Sequence, residues 1–183
     1  MRIKDCGTGG CVLASLLLLS ASGLAYESSS TVNFKVTGTI EAPSCEVAVD
    51  PSNRIDLGTV PYQTFSGKAG SSSASVPVKL LFSHCSAYAS AVTIAFDGAR
   101  FDEAHASIYK SYRTGNNGAS GIGLQLLSMA DQQPLGPGDQ YLYTFDSETD
   151  IHTFNMVARM YSPYGQVSPG IVGFTATFEV TYK

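Results

Sequence analysis

An all-β sandwich is the fold class this sequence predicts, on three observations. Apolar residues recur at every second position in short runs, most clearly Val76, Val78, Leu80, Phe82 and Phe154, Met156, Ala158, Met160. Turn-forming clusters separate the runs, among them Gly115-Asn116-Asn117-Gly118 and the stretch from Pro163 to Gly170. No segment sustains a helical apolar period over three turns, and short alternating runs between turn signals are the pattern of packed antiparallel sheets.

The elements follow in chain order. Residues 1–25 are predicted to be a secretory signal: Arg2 and Lys4 give a basic start, Cys11 to Leu19 is an apolar core, and Gly23-Leu24-Ala25 offers small residues for cleavage. That core is too short to span a bilayer, so no membrane insertion is expected. Residues 26–42 form an N-terminal extension. Its lead, Tyr26 to Ser30, is polar, and then Val32, Phe34, Val36, Gly38 and Ile40 alternate with Asn33, Lys35, Thr37 and Thr39. Ala42-Pro43-Ser44 breaks this segment from the strand after it, because proline cannot donate to a strand ladder.

Residues 43–183 are predicted to be the folded domain. Val47, Val49, Ile55 and Leu57 supply a first strand broken at Asp50-Pro51-Ser52-Asn53. Gly67 to Ser75 is expected to be a loop without packing residues. Further strands are expected at Val76 to Phe82, Val92 to Phe96, Ile122 to Leu126 and Phe154 to Met160, with short pieces near Ile108 to Tyr112 and Tyr141 to Phe145. The chain closes on Phe174, Ala176, Phe178, Val180 and Tyr182, alternating with Thr175, Thr177, Glu179 and Thr181 and followed by Lys183. This gives about six principal strands after Cys45, where the simplest complete immunoglobulin-like sandwich has seven. The domain is thus expected to stop one strand short, with a spare alternating segment ahead of it. On the residues alone, that segment reads equally well as the first strand of the same domain.

Composition narrows the function. The 183-residue chain carries a net charge of −4, and loss of Arg2, Lys4 and Asp5 with the signal moves it to about −5. With no basic run, a nucleic-acid partner is not expected. Cys6 and Cys11 leave with the signal, and in an exported protein the remaining pair, Cys45 and Cys85, is expected to form a disulfide. Such a loop closure stabilises by about 4 kcal/mol on the chain-entropy estimate. Neither cysteine has a His or Cys at ligand spacing, so no metal site is expected.

Nor is an enzyme expected. His84, His105 and His152 are scattered, and in Ser83-His84-Cys85 an oxidised Cys85 is no nucleophile. Gly118-Ala119-Ser120-Gly121 lacks the second glycine of a nucleophile elbow. Asp102-Glu103 and Asp146, Glu148, Asp150 are loop charges without a calcium-loop pattern. Tyr141, Tyr143, Tyr161 and Tyr164 could form an aromatic contact patch, although strand-edge and turn packing is the commoner role of such residues.

The order and spacing of several motifs carry a resemblance. They are Val36-Thr37-Gly38-Thr39-Ile40 with Cys45 seven residues after Gly38, Val76-Pro77-Val78-Lys79-Leu80 running to Cys85, and Ala91-Val92-Thr93-Ile94-Ala95-Phe96. Gly121-Ile122-Gly123-Leu124-Gln125-Leu126, Ala158-Arg159-Met160-Tyr161 and the ending Ala176 to Lys183 with its penultimate tyrosine follow. In these the chain resembles the fimbrial (pilus) subunits of the bacterial chaperone–usher pathway, of the type 1 fimbrial kind.

The resemblance implies an incomplete immunoglobulin-like β-sandwich lacking its last strand, completed in trans by donor-strand exchange. It implies a periplasmic chaperone, an outer-membrane usher and neighbouring fimbrial subunits as partners, export through the periplasm to a cell-surface fimbrium, and a part in cell adhesion. Val32, Phe34, Val36, Gly38 and Ile40 would then be donor-strand positions. Phe174, Ala176, Phe178, Val180, Tyr182 and Lys183 would form the acceptor groove and chaperone contact, and Cys45 and Cys85 would join the first and second strands. No cofactor is implied. The alternative is a self-complete secreted binding module, or an adhesive subunit that contacts a host receptor through its loops.

Overall fold

The computed structural model describes residues 35, 37–40, 42–146 and 148–183. By contacts the chain divides into Met1–Thr39 and Ile40–Lys183. Of the expected donor positions, Val32, Phe34 and Val36 lie outside the described residues. At Gly38 an added Cβ would meet nothing within 4 Å, and the Ile40 side chain is fully exposed.

The second unit is built from nine strands among the described residues, with one turn of 3-10 helix at Tyr62–Thr64. The strands are β1 (Glu46–Asp50), β2 (Ser71–Ser72), β3 (Val76–Ser83), β4 (Ala91–Asp97), β5 (Tyr109–Lys110), β6 (Gly123–Ser128), β7 (Gln140–Thr144), β8 (His152–Ser162) and β9 (Thr177–Tyr182). Two antiparallel sheets result. One has the order β1-β3-β8-β6-β5, with β2 also on β8, and the other has the order β7-β4-β9.

Alternation decides which face each strand buries. On β3 it is Val78, Leu80 and Phe82, on β4 Val92, Ile94 and Phe96, and on β8 Phe154, Met156, Ala158 and Met160; all are buried. Most of these residues meet between the sheets with Leu124 and Leu126 of β6 and with Leu135, while Met160 joins a second, smaller core. At the aromatic end of the core Phe82 stacks on Tyr143 and meets Phe145 at a tilt, and Tyr141 and Tyr143 meet Phe154 at a tilt. Tyr143 also donates its hydroxyl to the Thr153 carbonyl at 3.0 Å. Tyr141 and Tyr143 therefore serve the core, while Tyr164 lies on another loop against His105. Among the described residues, Tyr141 and Tyr143 share no ring contact with Tyr164. Tyr109, fully buried, donates to the Leu135 carbonyl at 2.9 Å. Burial raises its pKa well above the ordinary phenol value, so the hydroxyl stays protonated.

Cys45 and Cys85 are bonded, with Cα atoms 4.1 Å apart. They flank the paired strands β1 and β3, whose register sets Val47 opposite Phe82 and Val49 opposite Leu80.

Three segments depart from the sequence expectation. The first strand stops at Asp50, so Ile55 and Leu57 lie outside it. Gly67 to Ser75 is not merely a loop, because Ser71 and Ser72 pair with Ser162 and Tyr161. The register of β3 on β8 ends at Val76 opposite Ala158, and the serines take over the same edge of β8 beyond that point. Their pairing is main-chain pairing and needs no apolar period. The terminal strand starts at Thr177 rather than Phe174. Its partner β4 ends at Asp97, opposite Thr177, so residues 174–176 have no ladder to join.

Candidate functional site

β9 pairs with β4 on one side only, and β1 with β3 on one side only. Between their free edges lies an open groove of about 1050 Å³. One wall continues from β1 through Val49, Ile55, Leu57 and Val60, and the other is Val172, Phe174, Ala176 and Phe178. The floor comes from the first sheet: Val78 of β3, Leu124 and Leu126 of β6, and Met156, Ala158 and Met160 of β8.

The walls run in opposite directions. At one end the Tyr182 hydroxyl donates to the Cys45 carbonyl at 3.0 Å, tying the last strand to the disulfide. At the other end Leu57, Val60, Val172 and Phe174 pack against the small core of Phe65, Ile122 and Met160. The wall residues are only half-buried, while every floor residue is buried. A half-buried row of Val, Ile, Leu and Phe beside an unpaired strand edge is a site for an extended segment. Such a segment would pair with the backbone and fill the trench with alternate side chains.

Of the residues expected at the acceptor site, Phe174, Ala176 and Phe178 line this groove. Val180 and Tyr182 do not line it, although all five residues are half-buried against the main core. The Lys183 main-chain oxygen already accepts hydrogen bonds from Ser90 N at 3.0 Å and Ser90 Oγ at 3.3 Å, and Lys183 N donates to the Ala91 carbonyl. The sequence reading missed the floor and the far wall. Ile55 and Leu57 did alternate, but nothing in the sequence said that their segment would stand apart from the ladder.

The residues weighed for catalysis go elsewhere. His84 is exposed and pairs with Glu46 at 3.0 Å. His152 is buried and stacks on Phe145, with centroids 4.1 Å apart. Cys85 is in the disulfide. Gly121 holds a left-handed φ of +74°, and a Cβ there would collide with the Gln166 carbonyl, so this glycine serves backbone approach. Among the described residues no group of three or more His, Cys, Asp or Glu is placed to hold a metal ion, and no helix is long and apolar enough to cross a membrane.

Comparison with known proteins agrees with this geometry. Residues 34–183 match the family described as "Fimbrial protein". The chain is 29% identical over 155 residues to the uncharacterized fimbrial-like protein YdeS of Escherichia coli, covering 81% of this chain and 85% of that one. It is 28% identical over 180 residues to a type-1 fimbrial protein subunit of Serratia marcescens, covering 93% and 96%. Among solved structures, the P pilus rod subunit PapA superposes with a TM-score of 0.60 at 17% identity, over 76% of this chain and 99% of that one. The CupB6 tip adhesin of Pseudomonas aeruginosa gives 0.61 at 23% over 75% of this chain, which spans 38% of the adhesin's length. These likenesses extend to the immunoglobulin-like sandwich of pilus subunits, and with a match over residues 34–183 the chain belongs to the fimbrial protein family.

Proposed function

We propose that this chain is a structural subunit of a bacterial surface fimbria of the chaperone–usher type, polymerising by donor-strand complementation and so taking part in cell adhesion. The observation that carries this reading is the open apolar groove between β9 and the 49–60 wall. Residues 1–25 direct export to the periplasm, 26–42 are the donor extension and 43–183 the subunit body. In the periplasm a chaperone covers the groove and the free edge of β9. At the outer-membrane usher, residues Val32 to Ile40 of a neighbouring subunit replace it. Leaving the groove open costs solubility, since an unpaired strand edge is a template for aggregation. A transient cover followed by a permanent one removes that hazard.

A synthetic peptide of residues 31–42 tests this directly. Added to protein released from its chaperone, it is expected to bind in equimolar ratio and to raise the unfolding midpoint. A monomer that melts cooperatively without peptide or chaperone, and takes up neither, would establish the self-complete module instead. The peptide also tests Gly38, which puts no side chain on the groove-facing row. A Gly38→Leu peptide overpacks the groove, and its affinity is expected to fall about ten- to a hundredfold. The same substitution in the full chain should leave chaperone binding intact and abolish polymer. Normal polymer yield would overturn the role given to Gly38.

A further inference from the structure

Next to Phe174 the groove wall includes Gly173, which is bound directly to another segment. Its carbonyl accepts from Tyr112 N at 2.8 Å, and its N–H donates to Ser111 Oγ at 3.2 Å. The Tyr112 ring covers the same residue: a Cβ on Gly173 would come within 2.5 Å of it. Tyr112 thereby lines this end of the groove, and the Arg113 guanidinium carbon lies 5.3 Å from its ring centroid. Arg113 and Lys110 both line a hollow of about 390 Å³ that shares Ala119, Ile122 and Ser168 with the groove. No Asp or Glu lines that hollow, and among the described residues neither cation is in an ion pair. Two positive charges therefore stand at one end of an apolar trench.

We infer that Arg113, with Lys110, receives Glu41 of a second copy of this chain when that copy's donor segment is seated, and so selects the direction in which the donor lies. Length decides where Glu41 falls. The donor row, 32–40, and the wall, 174–182, have the same number of residues, so an extended donor runs the length of the wall. The tether decides the direction. Only residues 41–44 separate Ile40 from Cys45, a reach of about 17 Å at most, so the donor's folded body stands at whichever end of the groove holds Ile40. At the Tyr182 end the Tyr182–Cys45 hydrogen bond joins the two walls, and the disulfide and Lys183 are gathered there. At the other end, among the described residues, no main-chain hydrogen bond crosses from 49–60 to 167–178. A donor that leaves by this freer end has Ile40 opposite Phe174 and Glu41 opposite Gly173, next to Tyr112 and Arg113. Laid the other way, it would put Glu41 by Tyr182, at the opposite end from both cations. Glu41 is the one acidic residue of 31–44, and opposite charges at an interface rim steer encounter and fix register.

This inference rests on the groove being a donor site, and the test separates the two. Peptide 31–44, acetylated and amidated so that Glu41 is its sole negative charge, is compared with its Glu41→Gln form on chain released from its chaperone. Glu41→Gln is expected to weaken binding about three- to fivefold at low salt, and the difference should shrink as salt is added. The double variant Lys110→Ala/Arg113→Ala should bind the two peptides alike. Arg113→Glu should reverse the preference and take a Glu41→Lys peptide better than the wild-type one, since the two sites share one interaction. Lys79→Ala is the control. It removes a cation from the exposed face of β3, outside the groove and the hollow, and should keep the wild-type preference for Glu41. Equal binding of both peptides by the wild-type chain would overturn the Glu41 seat alone, as would a full preference retained by the double variant or lost in Lys79→Ala. Failure of the wild-type chain to take either peptide would overturn the seat and the donor site together.

Discussion

Arginine in place of Ala176 is expected to abolish donor-peptide binding while leaving the subunit folded. Ala176 sits on the groove wall between Phe174 and Phe178, half-buried and off the ladder that begins at Thr177. In the open groove a guanidinium on a long stem can reach water from that position, so the free domain should lose little stability. Once a donor covers the trench, the charge is confined beside Phe174, Phe178 and the apolar floor, and burying it there costs several kcal/mol. A cost of that size lowers peptide affinity by more than about a thousandfold. Thr181→Arg is the matched control, in the terminal strand that follows Ala176 and on its exposed face. It should bind peptide as the wild type does. Retained peptide binding by Ala176→Arg would mean that donor segments do not enter between these walls.

How much of this is legible in the sequence varies with what each feature needs. Period two in β3, β4, β6 and β8 locates those strands within a residue or two, because two packed sheets force every second side chain inward. The same rule cannot say which inward residues lie beneath a missing neighbour. Val78, Leu124 and Met156 look like any other core positions, and only the topology puts them under an open trench. The onset of β9 is misplaced by the sequence pattern because alternation continues from Phe174 while the strand's hydrogen-bonding partner has already ended at Asp97. The serines of β2 give no signal, since edge pairing through the main chain leaves no mark on side-chain polarity. Tyr182 is equally silent. Its contact is with the Cys45 carbonyl, 137 residues away, and no local pattern encodes it. Through that contact Tyr182 closes the groove's end and does not line it.

Removing the disulfide should have the largest effect on the fold itself. In the double variant Cys45→Ala/Cys85→Ala, the denatured chain recovers the freedom of a loop with a sequence separation of 40, worth about 4 kcal/mol on the chain-entropy estimate. For a domain of this size that corresponds to a fall of roughly 10–15 °C in the unfolding midpoint. The loss also has a local consequence. Cys45 anchors the start of β1 to β3 and accepts the Tyr182 hydrogen bond, so it joins both walls of the groove at one end. Without the bond, the 49–60 wall is held at that end by weaker ties, the β1–β3 ladder, the Ser44–Ser86 hydrogen bonds and the Tyr182 contact. Peptide binding should therefore weaken by more than the groove's own contacts would suggest, even at temperatures where the variant is still folded. Thermal unfolding and peptide affinity, each measured with and without a reductant on the wild-type chain, check both parts. If reduction lowers the midpoint but leaves affinity unchanged, the disulfide stabilises the sandwich without setting the spacing of the walls. If neither changes, the loop-closure account of its contribution is wrong for this domain.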